Sequence, residues 1–384
     1  MQTTSHHSTW VEVDLGVVEK NIRSFVGLTD AQVMAVVKAN GYGHGALPVA
    51  QAALRGGATW CGVARLSEAL ELRAGGLDCP ILLLGLTTPP EMEHAVQSHI
   101  HMTVWSVEQI EHAARAAKQA GIPARLHLKV DTGMSRLGVQ TDAALELAKC
   151  ISDNDTVRFE GLFTHLARAD ENDPETTDRQ VRRFRTVLQD LQNAGLKPAL
   201  IHAANSAATI KRPEQHYDLV RVGIALYGLH PSPETPLPDR VQPALSWKTQ
   251  LSQVKLLPAG RGVSYGHVYT TVKEERIGTL PVGYADGFRR TSGNEVLVRG
   301  VRVSVVGRVC MDQCMVQLDD VPDAAVGDEV VLIGRQADER ITAEDVAKRW
   351  GTINYEVVCG IGARVPRIYS EPPKVSSSVA RAQV

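Results

Sequence analysis

The chain has 384 residues, 43% of them hydrophobic, and a formal net charge of -2. That length suits about two domains. The near-neutral balance, with no block of like charge, argues against non-specific nucleic-acid binding. No apolar run approaches the ~18 residues of a membrane span. The start, MQTTSHHSTW, lacks the basic and apolar regions of a secretory signal, so a cytoplasmic setting is expected.

In chain order, short apolar runs alternate with helical stretches. The runs are QVMAVVK (32–38), WCGVARL (60–66), PILLLG (80–85), HMTVWS (101–106), RLHLKV (125–130), FEGLFTHL (159–166), PALIHAA (198–204) and DLVRVGI (218–224). Continuous runs of this length suit parallel strands covered on both faces. Between them, 106–121 reads as a helix with Ser106 as N-cap, Gly121 as stop, and a stripe of Ile110, Ala113, Ala114 and Ala117. Eight strands with intervening helices predict a (β/α)8 barrel over residues 1–240, with an open doubly wound sheet as the alternative. The segment 230–243 carries five prolines and reads as an extended connector. Beyond it, β-branched runs and turn signals predict a mostly β domain over 241–384. One helix is expected at ITAEDVAKRWG, where Thr342 and Asp345 have capping-box spacing, and a loose tail from about 371. The six cysteines form no CxxC pair and lie near no histidine pattern, so free thiols and no metal site are expected.

Barrel enzymes gather catalytic groups where strands end. The first run ends in Lys38, and the fifth leads into LKVDTGMSRLG, with Lys129, Asp131 and Arg136. The sixth ends near His165, the seventh in HAANS with Asn205 and Ser206, and the eighth holds Arg221. Each has a plain structural reading: a solvated strand end, a core histidine, a helix cap, a buried arginine. Their convergence from five strands favours a site. A desolvated lysine on a barrel rim is a nucleophile toward aldehydes, the chemistry that pyridoxal 5′-phosphate exploits. Small-residue segments after strands seven and eight, NSAAT and GIALYG, lie where barrels frequently bind phosphate. The glycines of NGYGHG read as a tight turn that lets a cofactor approach Lys38.

In order along the chain, AVVKANGYGHG, KVDTGMSRLG, THLARAD, HAANSAA, VRVGIALYG, VSYGHVY, VGYADGF, GRVCMDQCMV and INYEV resemble the alanine racemase family, from about Val11 to Tyr369. The resemblance implies a pyridoxal 5′-phosphate barrel followed by a β-rich domain that pairs with residues about 10–14. It implies Lys38 as the cofactor's covalent anchor and one of two catalytic bases. Tyr42, Asn205, Ser206, Gly223, Ile224 and Tyr355 would hold the cofactor, chiefly at its phosphate. Arg136 would reach its phenolic oxygen and the substrate carboxylate. Arg221 would face the ring nitrogen. An arginine there cannot hand over a proton, so the ring is a weaker electron sink and transamination is disfavoured. His165 would link Arg221 to Tyr265, the second base, which otherwise reads as an exposed sheet tyrosine.

The same resemblance implies a homodimer in which the second subunit lends Tyr265, Met311 and Asp312. Tyr284, Asp312 and Tyr355 would shape the entry, and Lys129 would carry a carbamate. The expected activity is interconversion of L- and D-alanine for peptidoglycan. A racemase of broader specificity, or for serine, is the alternative, followed by a non-catalytic carrier of the same cofactor.

Overall fold

The structure, a computed structural model, describes residues 7–371; the expected tail from about 371 therefore lies almost wholly outside the described residues. Each of the eight apolar runs supplies one strand of a parallel sheet. These are Gln32–Val36, Trp60–Val63, Ile81–Leu83, His101–Val104, Ala124–Asp131, Val157–Phe163, Leu200–His202 and Leu219–Val222. They pair in sequence order, and the last pairs back onto the first, Val220 opposite Val33. Two backbone bonds bridge the remaining seam: Asp218 N–H to the Ile201 carbonyl (3.0 Å) and Arg221 N–H to the Ala204 carbonyl (3.0 Å). The sheet is a nearly closed barrel, not the open alternative. Pairing of the last strand with the first is what separates the two; burial of Ile81, Leu82 and Leu83 shows only that both faces are covered, as in any parallel sheet.

The helix between strands four and five runs Val107–Ala120, with Ser106 accepting from Gln109 N–H and Gly121 in the left-handed region at φ 66°. Its buried stripe is Ile110, Ala113, Ala116 and Ala117; Ala114 packs only partly. The shift from Ala114 to Ala116 widens the stripe on the face turned to the barrel.

The proline-rich segment is less extended than expected. Its Ser232 and Thr235 hydroxyls both donate to the Asp170 carbonyl (2.6 and 2.8 Å), and Gln242 exchanges bonds with Asn21. Intrachain partners pull it against the barrel, because its free carbonyls and hydroxyls need them.

Beyond it, a ten-stranded sheet takes its centre from residues 245–341 and its edge from both ends of the described chain. Thr9–Asp14 pairs antiparallel with Leu245–Gln250 and parallel with Arg367–Ser370. The helix Ala343–Trp350 has the Thr342–Asp345 capping box, and a second helix, Asn354–Cys359, follows it. That short helix carries Tyr355 and Cys359 back to the barrel mouth.

Candidate active site

Lys38 opens a turn, Lys38–Tyr42, in which Ala39, Asn40, Gly41 and Tyr42 all have positive φ, between 51° and 59°. Left-handed backbone costs a non-glycine residue ~1–2 kcal/mol, so Ala39, Asn40 and Tyr42 together need strong local support. Glu68 supplies part of it, accepting from Ala39 N–H at 2.5 Å, and Asn40 accepts from Ala46 N–H at 3.1 Å. Strain held this way is typical of functional segments.

The following glycines face a protein neighbour. A Cβ on Gly43 would lie 2.2 Å from the Val358 carbonyl oxygen, and one on Gly45 would lie 2.0 Å from the Tyr369 hydroxyl. They give clearance to the second domain. That domain's close approach is what closes one wall of the site.

Lys38 lines a cavity of about 550 Å³ at the carboxyl ends of the strands, with Tyr42, Lys129, Arg136, His165, Asn205, Ser206, Arg221, Gly223, Ile224 and Tyr355. All the barrel residues singled out from strand ends, except Asp131, meet there. Phe163, Asp170 and Cys359 also line it, beyond the residues expected from sequence. Phe163 sits two residues before His165 and was within reach of the same strand-end rule.

Each wall has a distinct electrostatic character. Burial lowers the Lys38 pKa, and the Arg136 guanidinium lowers it further, favouring the free amine. Lys129 is buried and held at about 8 by burial, Arg221 and Arg136, and its ammonium sits 5.5 Å from the Phe163 ring centre. Arg221 is buried, and burial pulls its pKa down to about 9, lower than an ordinary arginine yet still charged at neutral pH. Its Nη1 donates to His202 Nδ1 at 2.9 Å. Its Nη2 lies within bonding distance of the Thr164 and Ala203 carbonyls (2.9 and 3.0 Å) and of His165 Nδ1 (3.2 Å). The partners are imidazoles and carbonyls, so the guanidinium keeps its charge without a carboxylate.

At the opposite wall, the Ser206 hydroxyl accepts from Gly223 N–H (2.9 Å) and Ala225 N–H (3.5 Å), which leaves its own proton to offer. A Cβ at Gly223 would stand 2.8 Å from the Tyr42 hydroxyl, so only glycine lets that phenol reach this point. Burial raises the pKa of both Tyr42 and Tyr355, keeping them as donors.

Two of these side chains also organise the backbone around the site. Asn205 caps the helix Ser206–Lys211 by accepting from Ala208 N–H (3.0 Å), and its amide nitrogen donates to the Leu166 carbonyl (3.3 Å). It matches the helix-cap reading. Asp131 is a loop organiser: one carboxylate oxygen accepts from Gly133, Met134 and Ser135 N–H, shaping the turn that presents exposed Arg136.

Tyr265, Tyr284, Met311 and Asp312 are not in this cavity. Tyr265 is 70% exposed and lines a separate hollow of about 630 Å³ on the second domain, with His267, Cys310 and Met315. Met311 (53% exposed) and Tyr284 (44%) are neighbours through backbone bonds, Tyr284 N–H to the Cys310 carbonyl and Ala285 N–H to the Met311 carbonyl. Asp312 accepts from Arg364, which also binds Asp286. No group of metal-binding side chains occurs among the described residues.

The family models for the alanine racemase N-terminal and C-terminal domains match residues 13–231 and 244–369. An alanine racemase of Symbiobacterium thermophilum is 49% identical over 364 residues, covering 94% of this chain and 97% of that protein. Among solved structures, the alanine racemase of Bacillus anthracis with bound L-Ala-P aligns at TM-score 0.91 and 41% identity, over 95% of this chain and 96% of that one. A histidine racemase of Leuconostoc mesenteroides aligns at 0.88 and 33% identity, over 95% and 98%. With both domain types matched in order, and the strand-end residues gathered in one cavity, the chain belongs to the alanine racemase family.

Proposed function

We propose that the protein interconverts L- and D-alanine with pyridoxal 5′-phosphate as cofactor, at a site completed by the second subunit of a homodimer. One observation carries the reading: a desolvated lysine amine and a buried, carboxylate-free arginine line the same cavity as the Ser206 hydroxyl. These residues fit the cofactor on three counts. Lys38 offers the amine that its aldehyde needs. Ser206, Tyr42, Tyr355 and the backbone at Gly223 and Ile224 suit a phosphate. Arg221 suits the ring nitrogen. When bound, the cofactor acidifies the substrate Cα–H by drawing charge away from that carbon.

The chain's own residues do the rest. Arg136 and the backbone at the partner subunit's Met311 orient the substrate carboxylate. Lys38 Nζ moves a proton at one face of Cα, and the partner subunit's Tyr265 moves one at the other, since a single fixed base cannot serve both faces of a planar carbon. Arg221 holds its charge and its protons, which disfavours protonation away from Cα. His165 ties Arg221 to the Tyr265 side. Tyr284, Asp312 and Tyr355 narrow the entry toward a small substrate. Lys129, close to neutrality at a pKa of about 8, reacts with CO₂ to a carbamate, releasing one proton and placing a negative charge beside Arg136. The product D-alanine supplies peptidoglycan in the cytoplasm.

The test is a visible spectrum of the purified protein followed by polarimetry with L-alanine, L-serine, L-lysine and L-histidine. Cofactor absorbance with fastest turnover of alanine is the expected result. Equal turnover of all four would favour the broad-specificity reading, and absorbance with no turnover the carrier reading.

A further inference from the structure

Behind Arg221 the barrel interior holds three histidines in a row. His202 Nε2 lies 3.1 Å from His127 Nδ1, and His127 Nε2 lies 3.2 Å from His101 Nδ1. All three are buried. They come from three different strands, so the row crosses the core rather than following the chain. The row is walled by aromatic rings. Phe163 stacks on His202 at 4.6 Å with 5° between planes, and Trp60 meets His101 and His127 edge-on at 4.7 and 5.7 Å. Space for the middle ring is reserved by Gly161, where a Cβ would fall 2.2 Å from His127 Nδ1.

Hydrogen-bond chemistry fixes the direction of this row. Arginine donates and never accepts. His202 Nδ1 must therefore present a lone pair to Arg221, which puts the His202 proton on Nε2. That proton can only be donated to His127 Nδ1, so His127 carries its own proton on Nε2 and donates it to His101 Nδ1. Burial holds the rings neutral, His101 down at about 3 and the other two well below the usual histidine range, so each ring has one proton and one lone pair.

We propose that His127, backed by His101, is a positioning residue for Arg221: the row locks His202 in the one tautomer that can receive the guanidinium. If His202 carried its proton on Nδ1 instead, two donors would face each other in a dry core, and Arg221 would turn from its place on the cavity wall. The catalytic consequence rests on the proposed role of Arg221 at the cofactor ring; the tautomer order does not.

Neutron diffraction of the deuterium-exchanged protein reads the tautomers directly. Deuterium on Nε2 of His202, His127 and His101 is expected, and deuterium on Nδ1 of His202 or His127, or on both nitrogens, overturns the proposal. Kinetics of the loaded enzyme then test the consequence. H127L should lower kcat on the order of tenfold, the usual scale for an outer residue that orients a functional one, with KM for alanine nearly unchanged. H127N, whose amide oxygen can still accept from His202, should recover most of that loss. Equal loss in both variants, or no loss in H127L, would refute the positioning role. Should the enzyme fail to racemise alanine at all, the proposed function falls while the neutron result still judges the row.

Discussion

On the barrel side of the site, Arg221, Lys129 and Ser206 are at most 5% exposed, and both terminal nitrogens of Arg221 and the Ser206 hydroxyl are held by named bonds. On the second domain, Tyr265, Met311 and Tyr284 stand 70%, 53% and 44% exposed. The first region is finished by folding, because buried charge is tolerated only where hydrogen bonds already satisfy it. The second leaves apolar and phenolic surface exposed in the single chain, which is what the proposed homodimer needs to cover. On the proposed reading, cofactor-side chemistry belongs to the single chain and two-sided chemistry to the assembly.

The largest effects test that division. Lys38→Ala and Tyr265→Ala should each reduce racemisation by roughly 10⁴-fold or more, the upper range for a positioned proton-transfer group. Only the first should remove the covalently held cofactor absorbance. Mixing the two inactive variants should restore activity, because a heterodimer has one intact composite site. Proven subunit exchange with no recovery would erase the distinction between the two regions.

Next in size is the junction between them. Gly43→Ala forces a Cβ against the Val358 carbonyl at a φ of 80° and should destabilise the chain by about 2 kcal/mol or more. Gly76→Ala, with a similar φ of 81° but open space, should cost only the backbone share, about 1 kcal/mol. Urea denaturation of the pair measures how tightly the second domain is seated on the Lys38 turn; equal losses would remove that contact from the account.

Arg221→Glu should shift product partition rather than abolish the site. A carboxylate partner lets the ring nitrogen hold a proton, so more turnovers should end in transamination, measured as pyruvate per D-alanine formed. An unchanged ratio would leave Arg221 a purely structural cation.

The smallest effect is the Lys129 carbamate, which needs the free amine. With a pKa of about 8, half the amine is free at that pH. Only about one part in a hundred is free two pH units lower. The CO₂ adduct should therefore be present by intact mass under bicarbonate at pH 8 and fade toward pH 6. A plain amine at both would reject it.

How far the site was legible varies residue by residue. Lys38, His165, Ser206 and Arg221 could be picked from order alone, because a barrel delivers strand ends to one face whatever the details of its packing. Asn205 and Asp131 could not be sorted: the same side chain serves as ligand, cap or loop organiser, and only its hydrogen-bond partners decide. The glycines of NGYGHG announced a turn but not its neighbour, since Val358 and Tyr369 lie more than three hundred residues away along the chain.

Residue order determined the alternation of buried runs and amphipathic helices, and with it the barrel, the change to β structure after the proline-rich segment, and the family. Those are consequences of periodicity and local spacing, which act over a few residues. Tertiary structure alone decided that His101, His127 and His202 stand in line behind Arg221. It also decided that the last strand, Arg367–Ser370, lies beside the first, where the resemblance implies only that residues about 10–14 join the second domain. Each depends on which side of a strand turns inward and on what then meets it, and that is set by long-range packing no short stretch encodes.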